Sequence, residues 1–166
     1  MAKKHSFDIS TSVDLQEVDN AVNQAIRETK TRYDFKGTDC TIEFDRDAEE
    51  IELEADDEFR LRQLGGVLRE KLSRRRVPLE NVTERKVVTA SLGRARTRWG
   101  LKSGIDQETA KKISTDVREE GFKKIQVQIQ GDELRVTSPS RDELQAVIAF
   151  LKPRDYGVAL TFGNYR

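Results

Sequence analysis

The sequence predicts an α+β protein made of two tandem copies of one small unit. Three observations carry that reading: a helix, hairpin, helix order that occurs twice, a register that lays the apolar positions of one half over those of the other, and flanking alternating segments able to complete two sheets. With the halves offset by about 83 positions, Leu61 falls on Leu144, Leu64 on Val147 and Leu68 on Leu151, while Ile51 and Leu53 fall on Leu134 and Val136. A period of that length is too long for a solenoid and fits duplication of a domain. The 166 residues suffice for two units of roughly 80, each marginal alone, so a shared interface is expected.

From Asp14 to about Arg32, Leu15, Val18, Val22, Ala25 and Ile26 recur at helical spacing, with Asp14 as N-cap and Glu17 at the third helical position. Ile42 and Phe44, then Ile51 and Leu53, alternate as the strands of a hairpin whose polar turn includes Asp45 to Glu50. A second helix starts near Asp57, carries Phe59, Leu61, Leu64, Leu68 and Leu72, and runs into Arg74, Arg75 and Arg76 before Pro78. Gly65-Gly66 interrupts its pattern and reads as close packing. In the second half, a helix from Asp106 to about Glu120 turns Ala110, Ile113 and Val117 inward. Ile125, Val127 and Ile129 and then Leu134 and Val136 alternate about a Gly131-Asp132 turn. Ser140 and Glu143 form a capping box for a last helix bearing Leu144, Val147, Ile148 and Leu151.

Two helices and one hairpin offer too little sheet to bury both helix faces, so strands must flank them. Candidates are Phe7 with Ile9, Val82 to Leu92, Arg94 to Leu101 and Val158 to Phe162. Shared out, they complete two antiparallel four-stranded sheets, each with its helices on one face, in the order β-α-β-β-α-β. That is the ferredoxin-like order, which RNA-recognition domains also use. Periodicity leaves open which sheet each flanking strand joins.

Composition removes several function classes. Thirty basic residues balance thirty acidic ones, so no overall field favours nucleic acid or an anionic membrane, and an anion site must come from local clustering. With one cysteine, Cys40, and one histidine, His5, there is no intramolecular disulfide and no zinc cluster. Cys40 reads as a small strand residue and His5 as a surface residue. No nucleophile and base stand together, no phosphate-loop pattern is present, and no cofactor is indicated. No stretch approaches the roughly 18 apolar residues of a membrane span, which together with the single cysteine points to a soluble cytoplasmic protein.

Arginine carries what chemistry remains. Arg94, Arg96 and Arg98 alternate along one strand, so they project from one face about 7 Å apart, as a phosphate track or as a charged strand face. Trp99 and Lys102 follow, one offering an aromatic face and the other a cation. In a second group, Arg32 and Lys36 alternate with Tyr33 and Phe35, aromatics that could equally close the core. The Arg74 to Arg76 run and the terminal Tyr165-Arg166 read as solvated. The third strand, Glu50 to Ala55, and its counterpart, Glu133 to Ser138, bear no aromatic for base stacking.

Several stretches together resemble the YajQ family of bacterial proteins: SFDIS at 6–10, VDLQEVDNAVNQA at 13–25, TRYDFKG at 31–37, QIQGD at 128–132, RDELQAVI at 141–148 and NYR at 164–166. The resemblance spans the chain. It implies two tandem ferredoxin-like, or RNP-like, domains with exchanged N-terminal strands: 11–100 as the first, and 101–166 with the N-terminal strand 1–10 as the second. It also implies binding of a nucleotide (cyclic di-GMP, GTP or ATP) without enzymatic activity. The arginine-rich stretch from Val87 to Leu101 departs from the relatives, whereas Arg32 and Lys36 lie inside a matching motif. The expected function is therefore a non-catalytic nucleotide-binding protein using Arg32, Phe35, Lys36, Arg94, Arg96, Arg98, Trp99 and Lys102 at the groove between its domains. An RNA-binding or ribosome-associated module and a protein-interaction adaptor are the alternatives.

Overall fold

The computed structural model describes residues 3–166; residues 1 and 2, which the expected strand 1–10 includes, lie outside them. In chain order the elements are β1 (His5–Ser10), α1 (Leu15–Thr31), β2 (Thr41–Asp45), β3 (Glu50–Ala55), α2 (Glu58–Arg74), β4 (Val82–Glu84), β5 (Val88–Thr89), β6 (Ala95–Leu101), α3 (Gln107–Glu119), β7 (Gln126–Gln130), β8 (Glu133–Ser138), α4 (Arg141–Leu151) and β9 (Thr161–Gly163). All four helices open on a side-chain cap. Asp14, Asp57, Asp106 and Ser140 each accept from a backbone N–H of the first turn, satisfying a donor that the helix itself cannot.

One sheet runs β7-β8-β1-β9 and the other β2-β3-β6-β4, with β5 also on β6. β1 precedes α1 in the chain yet pairs with β8 and β9, and β6 precedes α3 yet pairs with β3 and β4. Each ferredoxin-like sheet thus takes its first strand from the other repeat, and the strand exchange is reciprocal. The chain divides into a first unit, Val13–Lys102, and a second made of the residues up to Ser12 with Ser103–Arg166.

In the first unit, Val18, Ala21, Val22 and Ala25 of α1 and Leu61, Leu64, Leu68 and Leu72 of α2 pack on Ile51, Leu53, Ala95 and Trp99. In the second, Phe7 and Ile9 are fully buried with Leu134 and Val136 beneath Ile113, Val117, Leu144 and Val147. Phe7 also meets the Phe162 ring edge-on at 6.1 Å.

Four local expectations change. Phe59 is 56% exposed, because it sits two residues before Leu61 and so on another face of α2; the Arg60 guanidinium covers its ring. Gly65 packs tightly, against the Trp99 indole, whereas Gly66 faces open space. The closing strand is shorter, Thr161–Gly163. The first unit's sheet has five strands rather than four, because Val82 to Thr89 pairs with β6 in two pieces. Val82 to Glu84 lie opposite Leu101 to Trp99, and Val88 and Thr89 lie opposite Arg96 and Ala95. Three residues, Arg85 to Val87, therefore span what Thr97 and Arg98 span on β6, which makes a bulge.

Candidate functional site: the open sheet face of the first unit

The face of the first unit's sheet away from its helices is a ladder of opposite charges. Glu52 lies opposite Arg98 and Glu54 opposite Arg96, the register that favours cross-strand ion pairs. The side chains nonetheless lean one step along the strand. Arg96 Nε lies 3.5 Å from Glu52, and Arg94 reaches Glu54 at 3.4 Å, Asp56 at 3.0 Å and the Asp39 carbonyl at 2.6 Å. The same shift would give Arg98 the Glu50 carboxylate. That carboxylate is held by Arg85, whose guanidinium crosses Gly100 to reach it. Arg98 is exposed and, among the described residues, makes no ion pair.

Arg94 is consequently a clamp for the strand ends, only 20% exposed and saturated with acceptors, whereas Arg98 is a cation available to a ligand. Arg85, Lys86, Val88, Arg96 and Arg98 line a hollow of about 300 Å³ on this face. The Thr97 hydroxyl donates to the Arg85 carbonyl at 2.7 Å and ties the bulge to β6. Sequence reasoning missed Arg85 and Lys86. Their signal was present in the strand run from Val82, whose two-residue alternation puts Arg85 on the open face.

The remaining expected site residues lie apart from this hollow. Trp99 faces the helices, 2% exposed, with the Arg69 guanidinium over its ring at 5.2 Å and Arg69 itself held by Glu84. Neighbours on a strand point to opposite faces, so Trp99 cannot stack a ligand that the arginine row holds. Arg32 reaches Glu28 at 3.2 Å and forks onto Asp34 at 2.7 and 3.0 Å, and that fork holds the Asp34 carboxyl below its usual range. Phe35 is buried in the core under the Arg32 guanidinium, while Tyr33 is 89% exposed. Lys36 and Lys102 are exposed. The structure thus gathers Arg96 and Arg98 with Arg85 and Lys86, and leaves Arg32, Phe35, Lys36, Trp99 and Lys102 outside the hollow.

The second unit's open face is built differently. Gln126, Gln128 and Gln130 of β7 lie beside Thr137, Arg135 and Glu133 of β8, and Asp8 of β1 takes the Arg135 guanidinium at 2.9 Å. That bond, more than any other contact, holds the Asp8 carboxyl below its usual range. Neither sheet carries an aromatic side chain on its open face. Cys40 has Thr38 as its hydrogen-bond partner, with its thiol pushed up by burial, and His5 Nδ1 accepts from Arg141. No helix among the described residues is long and apolar enough to cross a membrane.

Residues 5–166 match the family described as YajQ-like nucleotide-binding proteins. A protein of Nocardia farcinica named a nucleotide-binding protein is 50% identical over 161 residues, which cover 97% of this chain and 98% of the relative. Two more so named, from Bacillus cereus and Bacillus anthracis, are 45% identical over 166 residues and all of both chains. On this full-length agreement, and on the reciprocal strand exchange of its two ferredoxin-like sheets, the chain belongs to the YajQ-like family.

Proposed function

We propose that this protein is a non-catalytic receptor for a guanine nucleotide, cyclic di-GMP foremost, bound on the open sheet face of the first unit. The observation that carries the reading is Arg98, an arginine without a carboxylate partner beside Arg96, Arg85 and Lys86. Arginine forks suit phosphate oxygens, and they also suit the O6 and N7 edge of guanine. The carboxylates of Glu52 and Glu54 in the next strand can accept from guanine N1–H and N2–H, groups that adenine lacks. A hollow of about 300 Å³ takes one nucleotide half and leaves the other over that carboxylate row. The names of the relatives support the nucleotide class. No nucleophile paired with a base lines the hollow, which supports binding without turnover. These ligands are met in the cytoplasm, where the protein is placed on this reading.

Calorimetric titration of the protein and of Arg98→Gln with cyclic di-GMP, GTP, ATP and a short RNA tests it. Guanine ligands should bind more tightly than ATP, and Arg98→Gln should weaken them. Equal affinity for ATP, or binding untouched by the substitution, overturns the proposal. RNA is the less favoured outcome because no aromatic platform is offered on either open face.

A further inference from the structure

We infer that the first unit carries a second anion site, on its helix layer, selective for a bare phosphate chain rather than a nucleotide. A hollow of about 610 Å³ lies at the C-terminal end of α2 against α1. It is lined by Arg27, Lys71, Arg74, Arg75 and Arg76, with Glu17 as its one carboxylate. Three of the cations are engaged: Lys71 with Glu28 at 2.9 Å, Arg74 with Glu70 at 2.7 Å and Arg75 with Glu17 at 3.4 Å. Arg27 and Arg76 have no such partner among the described residues, so the basket keeps an excess of positive charge. No aromatic or apolar side chain lines it, so it offers a base no aromatic platform, whereas arginine forks and an ammonium group match phosphate oxygens.

The cap of α2 supplies the second argument. Val77 N–H bonds the Leu72 carbonyl and Arg76 N–H bonds the Ser73 carbonyl, the paired bonds of a Schellman ending, and Leu72 and Val77 are buried together. The residue between these bonds takes φ +60, the position that glycine fills without steric cost. Here it is Arg76, which meets the strain of a left-handed backbone and is one of the residues lining the hollow. The same bonds satisfy the Leu72 and Ser73 carbonyls in the last turn of α2.

This inference stands independently of the nucleotide reading, and its test separates the two. Inorganic tripolyphosphate is titrated at low salt into the Arg96→Gln/Arg98→Gln protein, which removes two of the four cations that line the sheet-face hollow. Binding should persist there, and GTP should bind no more tightly than tripolyphosphate. Adding Arg76→Gly should weaken tripolyphosphate by about tenfold while the melting temperature stays level or rises, since glycine relieves the left-handed cap. Arg27→Gln, at an exposed position outside the cap, should weaken it to a similar degree. Loss of all binding in the Arg96→Gln/Arg98→Gln protein, unchanged affinity in both basket variants, or a clear preference for GTP overturns the inference.

Discussion

Arg85 holds Glu50 by crossing a residue that has no side chain: a Cβ on Gly100 would lie 2.8 Å from Arg85 Nη2. The free state of Arg98 therefore depends on a glycine that binds nothing itself. Gly100→Ala should push the flexible end of Arg85 aside, release Glu50 to Arg98 and weaken the nucleotide by about tenfold without removing any cation. Folding stability should change by less than ~0.5 kcal/mol. Titration beside a thermal melt checks both halves, and unaltered nucleotide affinity would refute the relay from Gly100 to Arg98.

Arg94 and Arg98 share a strand face but should respond in opposite ways. Arg98→Gln should cost about 1.5–3 kcal/mol of ligand affinity, the range of a charge-assisted hydrogen bond, and leave the melting temperature unchanged. Arg94→Gln leaves Asp39, Glu54 and Asp56 facing one another, so it should lower the melting temperature and affect the ligand little. Their separation is readable from one melt and one titration for each variant.

Adjacent glycines in α2 offer a control on packing. Gly66 faces open space, so Gly66→Ala should stabilise the protein by about 0.5–1 kcal/mol through helix propensity. A Cβ on Gly65 would lie 3.1 Å from the Trp99 ring, and Gly65→Ala should lose that gain or reverse it. Denaturant unfolding of the two variants distinguishes them.

Phe7 is fully buried in the second unit although it precedes the whole first unit in the chain. Phe7→Ala should cost about 3–5 kcal/mol. Hydrogen exchange should show the loss in β7, β8, α3 and α4, with α1 and α2 still protected; uniform loss across both units would contradict this localisation.

Tyr156 gives the second unit an alkaline limit. Burial, and then donation of its hydroxyl to Asp116 at 2.8 Å, push its pKa up to about 12. The folded state thus keeps a proton that the unfolded chain releases near pH 10, so this contribution is complete below about pH 10 and is lost as pH rises toward 12. Tyr156→Phe, which cannot ionise, should flatten the stability profile in that window, and melts across alkaline pH measure it.

The helices were legible because their signals are local: Asp14 and Ser140 cap where they were expected, and the apolar stripes of α1, α3 and α4 face inward. Strand membership was not legible from pattern, since Phe7 and Ile9 alternate equally well for either sheet and only the family resemblance pointed to the exchange. The arginine row followed from the two-residue period, and the same period should have put Trp99 on the far side. What stayed hidden depends on tertiary placement. The reach of Arg85 across Gly100 decides which carboxylate is taken, and the approach of α1 to the α2 cap turns a run of solvated cations into a basket. One trace did exist: an arginine stands at position 76, after the last helical turn and before Val77-Pro78, where a glycine is commonplace.

The reciprocal exchange also sets a timetable. Asp8 must wait for Arg135, 127 positions away, whereas every strand of the first unit's sheet has emerged by Leu101. At about 5–20 residues per second, the ribosome needs roughly 6–25 s to make that interval. The first unit can close in that time while β1, with Phe7 and Ile9 on its inner face, is still without a sheet. An early strand so exposed is where a chaperone, or a neighbouring nascent chain, would find its opening.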